Sequence, residues 1–128
     1  MDRVDLQVQM HPVLAGAFAE QSAEPSSVVR ARVATARAAA AERWREIGVS
    51  TNTEVPGPLL RRRYRPSHAA MAPLRRALDS GRLSLRGVDR TLRVAWSLSD
   101  LAGRTVPDLQ DVGTALSFRQ GGSDVRRR

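Results

Sequence analysis

Arginine is the residue whose spacing in this sequence could do chemistry. Arg86, Arg90, Arg93, Ser97 and Asp100 recur at alternating spacings of four and three, which puts them on one stripe of a helix. A guanidinium is permanently charged and its planar fork fits phosphate oxygens, so such a stripe can form an anion site. Arg86 falls in the first turn of its predicted helix, where free backbone amides also favour anions. The competing reading is that three arginines facing away from an apolar face form a solvated surface. Arg61-Arg62-Arg63-Tyr64-Arg65 is a second basic cluster, with one ring, able to grip phosphates and stack a base or simply to stay wet. His11 and His68 are isolated, with no second ligand at metal spacing, and read as surface or loop residues, so no metal site is expected. Neither a Gly-x-Ser-x-Gly turn nor a paired-carboxylate constellation is present. Trp44 and Trp96 suit a core or a subunit contact better than a ligand platform.

Composition narrows the classes. The 128 residues are room for one domain, with enough chain to bury a real core. The 21 basic residues, all arginine, outnumber 13 acidic ones to leave +8. Arginine and alanine have GC-rich codons, so part of this excess reflects base composition, and the charge by itself speaks to association rather than to fold. With no cysteine, disulfide scaffolds, Cys-ligated zinc and Cys nucleophiles are excluded, which suits a reducing cytoplasm. Aromatic residues are 4%, too few for a platform that stacks single-stranded nucleic acid. No apolar run approaches the ~20 residues of a membrane span, so no membrane partner is expected.

The elements that must position the arginines are helical. Val29, Val33, Ala36, Ala40, Trp44 and Ile47 recur at helical spacing, with Ser26 as expected N-cap and Gly48 in the left-handed position after the last turn. Ser50 to Pro58 is a break, followed by a short helical piece around Leu59, Leu60 and Arg63 that ends by Pro66. Ser67 caps a helix carrying Met71, Leu74 and Leu78. Ser84 caps the next, with Leu85, Val88, Leu92, Ala95, Leu98 and Ala102 on its apolar face, closed by Gly103. Thr105-Val106-Pro107 opens the last, with Leu109, Val112 and Leu116 inward. The expected fold is mainly α: a small helical bundle over residues 26–120, preceded by one orphan β-strand. That strand, Val4 to Met10, alternates apolar and polar residues and finds no partner later in the chain. Ala15 to Pro25 is a connector, so residues 1–25 form one unit, and the tail, 121–128, should be disordered.

These segments resemble a known family. Met1-Asp2-Arg3-Val4-Asp5-Leu6 is similar to the end of the Leu-Leu-Asp-Arg-(Ile/Val)-Asp-Leu box of the magnesium chelatase-like AAA+ ATPases. Leu83-Ser84-Leu85-Arg86-Gly87-Val88-Asp89-Arg90-Thr91-Leu92-Arg93-Val94-Ala95 resembles the lid helix of that group, as do Ser99-Asp100-Leu101-Ala102-Gly103 and the closing Ala115-Leu116-Ser117-Phe118-Arg119. Asn52-Thr53-Glu54 sits where these proteins carry an Asn-Ala motif. The likeness runs from Asp2 to about Arg119 and is nearest to the ComM (YifB) branch.

The resemblance implies three things. Arg3 would be an arginine finger, reaching in trans to ATP bound by a neighbouring subunit. Arg86 would be the sensor-2 residue, on the γ-phosphate side of ATP in its own subunit. The bundle would be a lid that rocks on a P-loop ATPase core in a ring, usually a hexamer, with ATP and Mg²⁺ as cofactors of the intact protein. Each arginine would place fixed positive charge where negative charge builds on a transferring phosphoryl group. The sequence departs from the family in lacking a Gly-x-x-x-x-Gly-Lys-(Ser/Thr) loop, which it cannot have without lysine. The chain is therefore expected to be the C-terminal piece of such a motor, to bind no cofactor alone and to be no enzyme by itself. Arg90, Arg93, Arg61, Arg62 and Arg63 remain candidates for phosphate or nucleic-acid contacts, and DNA remodelling is the expected work of the whole motor. The alternative is a free-standing basic helical protein that binds nucleic acid or acts as an adaptor.

Overall fold

A computed structural model of the chain describes residues 25–119. In order they form α1 (Ser26–Trp44), a 3-10 turn at Arg45–Ile47, a second at Asn52–Glu54, α2 (Gly57–Arg61), α3 (His68–Asp79), α4 (Leu85–Leu101) and α5 (Leu109–Arg119). The fold is mainly α, with no strand among the described residues. The segment read as a strand, Arg3 and the tail all lie outside them.

The centre of the bundle is α4, which packs on α1, on α5 and on the short α2, while α3 leans chiefly on α5. Between these helices sit Trp44, Val55, Leu60, Leu74, Val88, Leu92, Ala95, Trp96 and Val112, all buried. Trp44 is fully enclosed, its ring edge-on to Tyr64 at 4.7 Å and to Trp96 at 5.4 Å, an arrangement that aromatic quadrupoles favour. None of the described helices is long and apolar enough to cross a membrane.

Start and stop signals work mostly as expected. Ser67 accepts a bond from the Ala70 amide, and Ser84 accepts one from Gly87. Gly48 and Gly103 take φ of 79° and 77°, the left-handed region that closes a helix. Ser26 is no cap. It already lies in the first turn of α1, Pro25 holds the cap position, and the Val28 and Val29 amides bond to the Pro25 carbonyl instead.

Several residues expected to face inward do not. Leu85 and Leu109 are the first residues of their helices and project beyond the bundle, about half exposed, so each apolar column starts one turn later, at Val88 and Val112. Leu78 sits at the margin of the α3 face, which is centred on Ala70, Met71, Leu74 and Ala77, and Ala102 lies past the end of α4. On α1 only Ala36, Ala40 and Trp44 are buried. Val29 is 42% exposed, because the first turns of that helix extend past α4.

Candidate functional site

The stripe on α4 divides into two parts with different surroundings. At its start, Arg86 is exposed in the first turn, just after the Ser84 cap, and has no ion-pair partner among the described residues. Arg90, one turn on, is half-buried. The next residue of the stripe turns inward: Arg93 donates to the Val55 carbonyl from Nη2 at 2.9 Å and from Nε at 3.3 Å. Beyond it, Ser97 and Asp100 lie against α1 and the 50–55 loop. The solvated-face reading therefore fails below Arg90, because the loop covers that part of α4.

What covers it is a polar seam around Asn52. The Asn52 side-chain oxygen accepts from Trp44 Nε1 at 2.8 Å and from Arg43 Nη2 at 3.1 Å. Its amide nitrogen donates to Ser97 Oγ at 3.0 Å and Asp100 Oδ2 at 3.2 Å. That uses the full capacity of a carboxamide. Asp100, nearly inaccessible, also takes both Arg43 terminal nitrogens at 2.8 Å, a bidentate charge-assisted pair. The same guanidinium stacks on Trp44 and Trp96, 4.6 and 4.2 Å from the ring centroids. Both tryptophans thus belong to the core, as their sequence context suggested. Glu54 fixes the loop through the Thr51 hydroxyl, which, with the Ser50 and Thr51 amides, holds its carboxyl below the usual range against slight desolvation.

Two arginines of the basic cluster at the end of α2 are paired within the fold, while Arg62 and Arg65 are exposed. Arg61 lies 3.0 Å from the Asp89 carboxylate and donates to the Gly57 carbonyl, which ties α2 to the second turn of α4. Asp89 sits so close to Gly57 that a Cβ there would lie 2.1 Å from its oxygen. Arg63 pairs with Glu46 and covers the Tyr64 ring at 5.3 Å. Tyr64 donates its phenolic proton to Glu46, which raises its pKa, and its ring rests on Trp44. The ring has no free face of the kind base stacking needs on the Trp44 side. His68 Nε2 lies 3.2 Å from Arg75 Nη2, and no group of three His, Cys, Asp or Glu that could hold a metal occurs among the described residues.

Sequence reasoning placed Arg86 and Arg90 on one helical edge but missed two features beside them. Gly87 is a point of close approach: a Cβ there would meet Leu83 at 2.7 Å and Arg119 Nε at 3.1 Å, so α5 delivers Arg119 next to the first turn of α4. The α4–α5 turn is held by Arg104, whose guanidinium bonds to Asp111 and lies 3.3 Å from Asp108. Asp108 and Asp111 also exchange amide-to-carboxylate bonds at 2.8 and 3.1 Å, a reciprocal cap on α5. Burial works against the Asp111 charge, but the bonds from Arg104 and the Asp108 amide outweigh it and hold the pKa below the ordinary range.

The arrangement offers an exposed, fixed cation at the start of a helix that is anchored at its other end. Residues 23–119 match the family described as magnesium chelatase, subunit ChlI C-terminal. Among curated proteins, the chain is 67% identical over 123 residues to the uncharacterized proteins Mb2921c of Mycobacterium bovis and Rv2897c of Mycobacterium tuberculosis. The match covers 96% of this chain and 24% of each relative, so the chain spans about a quarter of their length. No solved structure matches.

Proposed function

The chain belongs to the magnesium chelatase subunit ChlI C-terminal family, and from that premise we propose that it is the lid of an ATP-hydrolysing AAA+ motor of the ComM (YifB) branch. The observation that carries this reading is Arg86: an exposed guanidinium in the first turn of α4, on the helix around which the rest of the bundle is built. In the intact protein, Arg86 acts as sensor 2. It presents its charge to the γ-phosphate of ATP held by a P-loop core outside this chain, with Mg²⁺ bound by that core. ATP supplies the transferring phosphoryl group. Arg86 stabilises the charge that builds on it.

Arg3 is proposed as the arginine finger that completes the neighbouring subunit's site in a hexameric ring. An isolated subunit lacks that contact, so hydrolysis depends on assembly. The ring is proposed to remodel DNA in the cytoplasm. This chain alone neither binds nor hydrolyses ATP.

Two experiments test the reading. ATP titrated into the isolated chain should give no saturable binding, whereas a dissociation constant in the micromolar range would contradict the division of labour. In mixed rings of the intact protein, a subunit carrying Arg3→Ala should leave its neighbour's site silent even when that neighbour is otherwise wild type. Activity at that interface would remove the finger role. If duplex DNA bound tightly to the isolated chain, with affinity falling steeply as salt rises, the adaptor reading would gain instead.

A further inference from the structure

Between the projecting half of α1 and the end of α4 lies an open groove of about 620 Å³. Its apolar side comes from Val33, Ala36 and Ala40 of α1 and from Leu101 of α4, which is 41% exposed. Val29 continues that stripe one turn back. The stripe Val29, Val33, Ala36, Ala40 has spacings of four, three and four, the seam by which one helix receives another. Only Ala36 and Ala40 of the seam are buried; Val33 is half-buried and Val29 exposed. The charge beside the seam has one sign. Arg30 and Arg37 flank one edge and Arg32 the other, all three exposed, and α1 has no acidic residue before Glu42. Its first turn has neither an acidic residue nor a side-chain cap, so the positive end of the helix dipole adds to the same field.

We infer that this face docks an α-helix of a partner protein, one that is apolar along a stripe and carries carboxylates on both sides of it. The partner's stripe covers Val29, Val33 and Leu101, the apolar side chains that the bundle leaves open, in the manner of a helix laid into a groove. Its carboxylates meet Arg30 and Arg37 along one edge and lie beside Arg32 on the other. Those nearest the start of α1 also supply the negative charge that its first turn lacks. Charge decides against a second copy of α1 as the occupant. Whether parallel or antiparallel, a second α1 sets arginine edge against arginine edge. The inference does not depend on the ATPase reading.

The probe is a synthetic helix of about three heptads with Leu at the seam positions and Glu at both flanks; its counterpart has Lys at both flanks. Like charges keep each peptide from pairing with itself. Titrated into the full 128-residue chain and followed by fluorescence anisotropy, the Glu peptide should bind saturably, at least ~10-fold more tightly than the Lys peptide. Arg30→Glu with Arg37→Glu should reverse that order. Arg62→Glu with Arg65→Glu, the same change of charge at exposed arginines that do not line the groove, should leave it as it is. Val33→Gln should weaken the Glu peptide roughly tenfold while circular dichroism shows the helix content unchanged. Equal weakening by the two double variants would reduce the binding to net charge and overturn the inference. So would failure of either peptide to bind, the result expected if residues 1–24 cover the face. A chain that sediments as a dimer, and as a monomer once Val33→Gln is introduced, would give the face to a second copy and overturn it too.

Discussion

Arg43 occupies an unusual position for a cation, between two indole rings and clamped by a carboxylate whose own side chain is 1% exposed. Such a pair is costly to bury and more costly to break, since removing one partner leaves the other charge uncompensated. Asp100→Ala should therefore destabilise the chain by about 3–5 kcal/mol in urea unfolding. Asn52→Ala removes four hydrogen bonds and leaves Trp44 Nε1 unsatisfied inside the core, for an expected loss of about 1–3 kcal/mol. Neither role was legible from spacing. Periodicity grouped Asp100 with Arg86 as one stripe, but it says only which residues share a face, not what covers that face. Asn52 stands in an aperiodic loop and stood out only through its likeness to a motif. Its four contacts come from α1 and α4, which only the folded chain brings together.

At the level of elements, the caps decide where each helix begins. Those carried by a serine after a break, Ser67 and Ser84, could be read directly, because a hydroxyl ahead of an apolar column has a local partner. The α5 cap was missed because it is built by Asp108 and Asp111 on each other, with Arg104 from the preceding turn. It carries a pH signature. The folded pKa of Asp111 lies below its unfolded value, so its contribution is complete above the ordinary carboxylate range and is lost as pH falls through the lowered value. Urea midpoints of the wild type and Asp111→Asn should differ clearly at pH 6 and draw together as pH falls below the ordinary carboxylate range; a gap that does not narrow in acid would refute the linkage. Gly87 tests the α4–α5 contact. Gly87→Ala drives a Cβ into Leu83 and Arg119 and should cost about 1–3 kcal/mol.

For the whole molecule, the helical class and the order of helices followed from the sequence, because amphipathic columns and breaks are local signals. How far each helix engages the bundle was not legible. Val29 continues the apolar column of α1 yet stays exposed, since α4 ends short of it. Among the described residues, Arg86 is an exposed cation at the start of the helix on which the bundle is centred, in a chain that belongs to the chelatase-like C-terminal family. The most direct measurement is ATP turnover of the intact protein carrying Arg86→Ala, with the isolated chain's folding checked in parallel by urea unfolding. The account predicts a loss of roughly 10²–10³-fold in turnover with the chain's stability unchanged, the size expected when a charge-stabilising contact is removed. Wild-type turnover in that variant would contradict it.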